Sequence, residues 1–421
     1  MKKSCRRSRL AIGVALVAAT AASALGIGSI DSAGAARSVR GFDGTTVKVA
    51  SIGIASQFAN IPVGAQARIK KFNDNKEIKG VKLEYAGFAD DKGDPATSVS
   101  EARRLVTQEG VFAIVGDTSR SNPGDYLKQQ HVPYFGWAFD STYCSPKPDA
   151  SIYGFGYNGC LVPSAPSWMP DTGRPAYAYV SQKMGKKHPT VVVFSADNES
   201  GKNSVKFQSP AYAGAGFDVV AQNNSIPSDP SSIGDYSPYV QQLLTSDNGK
   251  APDAMVCLMS TQCINVYTLL QAANYQGTFV SSLYSNVLTK AMSGSAANIT
   301  YVNFNEDTPG VKQIKTDVDA FQAGASAKLD SAMFVGYAST DMFIQALKTI
   351  AKKGKSNITP ENLQKAAMNQ TWKIDGLAGP ITYPNSTAAP YPTCNAEVQS
   401  DGTAWNTVTP FACSKKQFKV S

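Results

Sequence analysis

Two doubly wound parallel-sheet lobes of the α/β class are the fold that this sequence of 421 residues predicts. Three observations lead there. Buried strand-like runs alternate with amphipathic helical runs from residue 45 onward. The same alternation restarts near residue 189, after a stretch rich in cysteine, proline and glycine at 141–175. The chain is also long for one core, since single hydrophobic cores stop growing at about 250–300 residues.

The beginning of the chain stands apart from that fold. MKKSCRRSRL is basic, AIGVALVAATAASALGIG is apolar and small, and SAGAA offers small residues for cleavage. These are the n-, h- and c-regions of a secretory signal. It is expected to span 1–36, with cleavage after Ala35 or Ala36. A retained membrane anchor is the alternative, but the run is short and rich in Ala and Gly rather than Leu. No Cys stands at the cleavage site to carry a lipid. Arg6-Arg7 also fits twin-arginine export, although a basic n-region alone explains the pair. The expected destination is the periplasm, the cell envelope or the extracellular space.

Cleavage takes the formal charge from +8 to about +4. The remaining charges are mixed along the chain, and no basic stripe with interleaved aromatics marks a nucleic-acid binder. Cys5 leaves with the signal, so seven cysteines become six. An even count in an exported chain points to disulfides. Each of Cys144–Cys160, Cys257–Cys263 and Cys394–Cys413 lies close in sequence, which makes the sequential pairing the expected one. The alternative is that Cys257, in the apolar run AMVCLM, is buried and reduced.

The elements follow in order. The run at 45–54 is a buried strand, and PVGAQARIKKFNDN is a helix with Pro62 in its first turn. VKLEYAGF is the next strand. Asp94-Pro95 then reads as the N-cap and first position of a helix carrying Val99, Ala102 and Val106 on one face. VFAIVG closes a parallel βαβ unit, and VPYFGWAF adds a short strand. The second series runs through PTVVVFS, a helix at 201–216, FDVVAQ, the helix in GDYSPYVQQLLTS, and APDAMVCLMS. It continues with the helix QCINVYTLLQAANYQ and the strand GTFVSSLY. A long amphipathic helix is expected at 331–354, and Thr359-Pro360 opens another.

Three aspartates crowd Asp90, Asp91 and Asp94, which raises the question of a metal or acid–base cluster. Asp94 has the capping role, and Asp90 and Asp91 end a strand and enter a turn that Gly93 closes. The glutamate of an EF-hand loop is missing. Neither histidine, His131 nor His188, lies in a nucleophile or zinc motif, and no phosphate loop occurs. An enzyme is therefore the disfavoured reading, and no cofactor or metal is expected.

FADDKGDPATSVSEARRLVTQEGVFAIVGDTSRSN resembles the first-lobe elements of type I periplasmic binding proteins, above all the branched-chain amino-acid receptors of ABC importers. HVPYFGWAF, DYSPYVQQLL and FVGYASTDMFIQALKTIAKKG followed by DGLAGPITYP are similar to later family elements in the same order. The resemblance spans most of residues 45–385. It implies two lobes joined by three chain crossings, near 155–158, 301–304 and 372–376. Lobe one would be 45–155 plus 304–372, and lobe two 158–301 plus 375–421. It implies a monomer that captures a small organic ligand in a closing cleft and delivers it to an ABC permease. A ligand-sensing receptor of the same fold without transport stays open.

The same resemblance, with the strand-end loops, nominates the ligand site. Ser119, Arg120 and Ser121 offer hydroxyls, a guanidinium and backbone N–H groups suited to an anion, though helix capping explains the serines equally. Trp137, Ala138 and Phe139 follow the next strand, and Phe58 matches a covering aromatic. Ser200 stands where the family places a cleft tyrosine. Thr261, Gln262 and Tyr284 end second-lobe strands, and Tyr337 lies in a GYAS element that core packing also explains. The amino-acid receptors hold the substrate ammonium with an acid where this chain reads SSLYSNVL and has none. Asp140, Asp197 and Glu199 are the nearest acids in other loops. The resulting expectation is an apolar or aromatic ligand, with a carboxylate suiting the anion loop, and not a branched-chain amino acid. A Glu199 that swings in to replace the lost acid is the alternative.

Overall fold

The computed structural model describes residues 39–120, 123–138, 140–145, 151–160, 168–259, 261–384 and 393–419. The signal segment, Ser121 and Phe139 lie outside the described residues.

The first lobe begins with β1 (Thr46–Gly53), a short turn of helix α1 (Ala55–Phe58), α2 (Ile61–Asp74) and β2 (Lys82–Asp90). It continues through α3 (Pro95–Thr107), β3 (Ala113–Asp117), α4 (Gly124–Gln129), β4 (Tyr134–Gly136) and β5 (Gly154–Gly156). The five strands form one parallel sheet in the order β2-β1-β3-β4-β5. Strands buried on both faces tolerate only apolar runs, which is why VFAIVG is readable as one.

The chain then enters β6 (Trp168–Pro170), α5 (Arg174–Met184), β7 (Thr190–Asp197), α6 (Glu199–Ala215) and β8 (Asp218–Pro227). α7 (Ser237–Leu244), β9 (Ala254–Cys257), α8 (Gln262–Ala272), β10 (Thr278–Ser281) and β11 (Ala296–Ile299) complete the parallel part. It next returns to the first lobe with α9 (Pro309–Phe321), α10 (Ser331–Ala351) and α11 (Pro360–Ala367). β12 (Thr371–Ile374) and β13 (Ala378–Thr382) form a small hairpin. β14 (Thr393–Ser400) and β15 (Trp405–Ser414) add antiparallel strands to the second sheet, whose order is β15-β14-β11-β10-β9-β7-β8. β16 (Gln417–Lys419) pairs with β6.

The sequence expectations met additions here. α5 and α9 add to the expected elements, and the second sheet is mixed rather than purely parallel.

α2 and α10 cross at close quarters in lobe one. A Cβ on Gly64 would run into the Met333 carbonyl, and one on Gly336 into the Ile61 carbonyl, so glycine is required on both sides. Beside that crossing Arg68 bridges Asp341 and Glu77, each at 2.7 Å. Lys348 reaches the other Glu77 oxygen at 3.0 Å, and the Trp372 indole N–H donates to Asp341. Burial works against the Arg68 guanidinium, but Asp341 and Glu77 overcome it and hold its pKa above the usual value.

The polypeptide passes between the sheets after β5, after β11 and after the β12–β13 hairpin. Rings gather near these passages. Tyr157 meets Phe334 and Trp372 edge-on, and Tyr301 stacks on Phe304. Disulfides join Cys144–Cys160, Cys257–Cys263 and Cys394–Cys413, the sequential pairing. No helix among the described residues is long and apolar enough to cross a membrane.

Candidate ligand cleft

Asp90, Asp91 and Asp94 serve the turns and the helix start around them. Asp94 accepts the N–H of Thr97 at 2.7 Å and caps α3. Asp90 accepts from the N–H groups of Ala55 and Lys92. Asp91 is buried and accepts from the N–H of Gly93 and the hydroxyl of Ser119. Among the described residues no group of His, Cys, Asp or Glu is arranged to hold a metal ion.

Those turns place the loop after β3, which carries Arg120. Arg120 lines two cavities, one of about 970 Å³ and one of about 770 Å³ of empty volume, mouths included. Trp137 and Ser282 also border both, so these three residues form the partition between the chambers. Arg120 and Trp137 come from the first sheet's loops and Ser282 from the second's. Such sites sit beyond the carboxyl ends of parallel strands, where loops converge.

Burial lowers the Arg120 guanidinium to about 10, with Asp91 opposing the shift, so the group remains cationic at neutral pH. The acids around it are restrained. Burial pushes the Asp117 carboxyl up to about 8, although it accepts from the Tyr143 hydroxyl and the Ser119 N–H. Burial raises Asp91 as well. Asp91 is the acid that acts on the Arg120 charge.

The smaller chamber lies between Phe58 and Ala332 of lobe one and Met259, Leu283, Tyr284 and Leu288 of lobe two. Phe58 meets Trp137 edge-on, 6.2 Å between ring centres. Asp330 also faces this chamber, a residue that the sequence reading missed. It caps α10 by accepting from the Met333 N–H at 2.8 Å and takes a second bond from Asn60 at 2.6 Å. Its signal was legible as a capping acid ahead of an apolar helix. The larger chamber runs between α6 and the second sheet, past Ser200, Ser204 and Gln208 on the helix and Val256, Leu258 and Val280 below.

Of the residues nominated from sequence, Phe58, Arg120, Trp137, Ala138, Ser200, Thr261 and Tyr284 line one or both chambers. Three others are directed elsewhere. Ser119 is buried behind the loop, bonded to Asp91 and Ser98. The Gln262 amide donates to the carbonyls of Pro227 and Ser228, tying α8 to the end of β8. Tyr337 faces α9, where its hydroxyl donates to Asp317 at 2.5 Å. Each is a polar side chain near a strand or helix end that backbone or lobe packing has already engaged. Glu199 opens α6. Asp140 accepts from Thr142, and Asp197 pairs with Lys202.

Solved structures share this architecture. A fatty acid ABC transporter substrate-binding protein from Thermomonospora curvata aligns at 16% identity and TM-score 0.69, covering 91% of this chain and 97% of that one. A possible leucine/isoleucine/valine-binding protein from Rhodopirellula baltica aligns at 15% and TM-score 0.67, covering 87% and 97%. A solute-binding protein from R. palustris, in complex with benzoate, aligns at 12% and TM-score 0.66, also covering 87% and 97%. At these identities the likeness is one of fold. No curated protein sequence matches the chain. The sequence model for periplasmic binding proteins spans residues 53–403, and the chain belongs to that family.

Proposed function

We propose that this protein is an exported solute-binding protein that captures a small organic acid between its lobes and delivers it to an ABC importer. The observation that carries the reading is the partition itself. One cationic side chain, Arg120, and one large ring, Trp137, border both chambers. Clefts of this kind combine apolar walls with a few fixed polar groups. A guanidinium at the junction suits a carboxylate, which it can meet with paired N–H bonds. Phe58, Trp137 and Tyr284 supply ring surface for the ligand body, and Ser200 and Thr261 supply hydroxyls.

An amino-acid ligand would need a negative partner for its ammonium. Asp330 is the acid in the smaller chamber, but its oxygens already serve the α10 cap and Asn60. Burial raises its pKa, which weakens it as an anion. That favours an acid without an ammonium over leucine, isoleucine or valine. Closure of the lobes follows from contacts that a ligand makes with both at once.

Mass spectrometry of the denatured, purified protein tests for a carried ligand, and a thermal-shift panel of carboxylates and amino acids tests affinity. Binding raises the melting temperature by mass action. Tight leucine binding that is lost in Glu199→Gln would overturn the organic-acid reading in favour of a receptor with a relocated acid.

A further inference from the structure

The larger chamber is not simply the space between two lobes. It extends beneath α6, into what is elsewhere a packed helix–sheet interface. Protein interiors are filled to crystal-like density, and a void there costs stability. The chamber's helical wall is Ser200, Ser204, Gln208 and Tyr212, spaced every four residues. Four-residue spacing puts all of them on one face. From Ser200 to Tyr212 the helix advances about 18 Å.

α6 packs on β7 and β8, and the chamber opens along its line of small residues. Ser200 and Ser204 are too small to fill the space, while the first turn lies close to the strand end, where a Cβ on Gly201 would strike the Ala196 carbonyl. Pro210 lies inside the helix and removes the N–H that the Lys206 carbonyl would receive. Ser209 donates its hydroxyl to the Val205 carbonyl, a bond that bends helices further. The sheet below contributes the apolar side chains Val256, Leu258 and Val280.

The far end is polar and closed. Thr172 donates to Gln208 at 2.6 Å, and the Asn298 amide bonds to the Thr172 carbonyl and to Glu397. Glu397 is fully buried on the same face of the sheet as its pairing partner Asn298, and its Oε1 has no hydrogen-bond partner among the described residues. The near end opens at Arg120 and Trp137.

We infer that the ligand is an anionic amphiphile, its head on Arg120 and an unbranched apolar chain laid in the channel between α6 and the second sheet. This rests on the proposed solute-binding role and adds the length and shape of the ligand. A cation at the mouth, an apolar floor and a polar stop together select a linear acid over a compact one. Thr172, Gln208 and Asn298 set the limit, because a methyl end driven against them would strip their hydrogen bonds.

Calorimetry with butanoate, hexanoate and octanoate, beside 1-octanol, tests the assignment on the intact mature protein. Each methylene that enters the channel should tighten binding by about three- to fourfold. Ser204→Trp, which fills the channel, should flatten that rise, and circular dichroism and a cooperative melt show that the variant is folded. Leu288→Trp, which fills the smaller chamber, should leave the rise unchanged. A rise that survives Ser204→Trp, or that Leu288→Trp abolishes, overturns the channel. If octanol binds and octanoate does not, the channel stands and the Arg120 anchor falls. If no member of the series binds while another compact acid does, the channel inference fails and the solute-binding role remains.

Discussion

Around the first sheet the cleft is faced by Phe58, Arg120 and Trp137, and around the second by Ser195, Ser200, Ser204, Ser281 and Ser282. Lobe one carries the cation with Phe58 and Trp137, while lobe two carries the serine hydroxyls, Tyr212, Tyr284 and room. The supporting structure differs in the same sense. Lobe one ties α2 to α10 with the Arg68–Asp341–Glu77 network, and its glycine contacts leave no space. Lobe two leaves a chamber beside α6, lined by the small side chains of Ser200 and Ser204. The comparison teaches that recognition and capacity can be built on separate lobes of one fold. A rigid lobe can hold a charge in place, and a looser one can accept ligand bodies of different size.

The largest effect should come from breaking the rigid side. Arg68→Met leaves Asp341 and Glu77 buried without their common cation. Removing one partner of a buried ion pair costs about 3–5 kcal/mol. Chemical denaturation of the unliganded protein should show that loss. A cost near zero would mean that lobe one is not the stiffer half.

The next prediction sets one buried acid of each lobe against the other. Burial raises Asp117 in lobe one and Glu397 in lobe two, each to about 8. In the unfolded chain both titrate near ordinary carboxyl values of about 4. Between about pH 4 and 8 the unfolded state therefore binds fewer protons than the folded one, and stability falls as pH rises. It is fully present below that window and lost across it, by of order a few kcal/mol. Glu397→Gln and Asp117→Asn should each flatten part of the decline in a series of melts.

A third change acts on recognition alone. Arg120→Gln removes a charge-assisted bond worth about 1.5–3 kcal/mol. Carboxylate affinity should drop about tenfold to a hundredfold in calorimetry, while a neutral alcohol of equal length keeps its affinity. An equal loss for both would show that Arg120 shapes the loop and does not meet the ligand.

How much of this was legible follows the physics of each segment. β3 and β7 are uninterrupted apolar runs, and α3 has its cap, its proline and its apolar stripe. β14 reads TCNAEVQS and is buried almost throughout. Its Asn395 is satisfied by the Thr172 carbonyl, distant in sequence, so no alternation of apolar and polar residues marks where the strand runs. α9 did carry the signals, with Thr308 as cap, Pro309 next and Val311, Ile314 and Val318 at helical spacing. Arg120 and Trp137 were legible because strand-end loops converge in this fold. The α6 channel was not, because small residues on a core face look like weak packing until the space beneath them is seen.

The smallest effect compares two caps with the same chemistry. Asp94 in lobe one accepts the Thr97 N–H at 2.7 Å and starts α3, and it lines neither chamber. Asn198 in lobe two accepts the Gly201 N–H at 2.7 Å, starts α6 and lines the larger chamber. Losing such a cap costs about 1 kcal/mol in either place. Asp94→Ala and Asn198→Ala should therefore melt alike without ligand. They should part when ligand is added. Asp94→Ala keeps the wild-type ligand-induced rise in melting temperature, because its helix touches no chamber. Asn198→Ala frees the first turn of α6 at the channel mouth, where Gly201 must stay against the Ala196 carbonyl, and its ligand-induced rise should shrink. Equal rises in the two variants would show that the α6 N-terminus takes no part in binding and that lobe two contributes only its sheet.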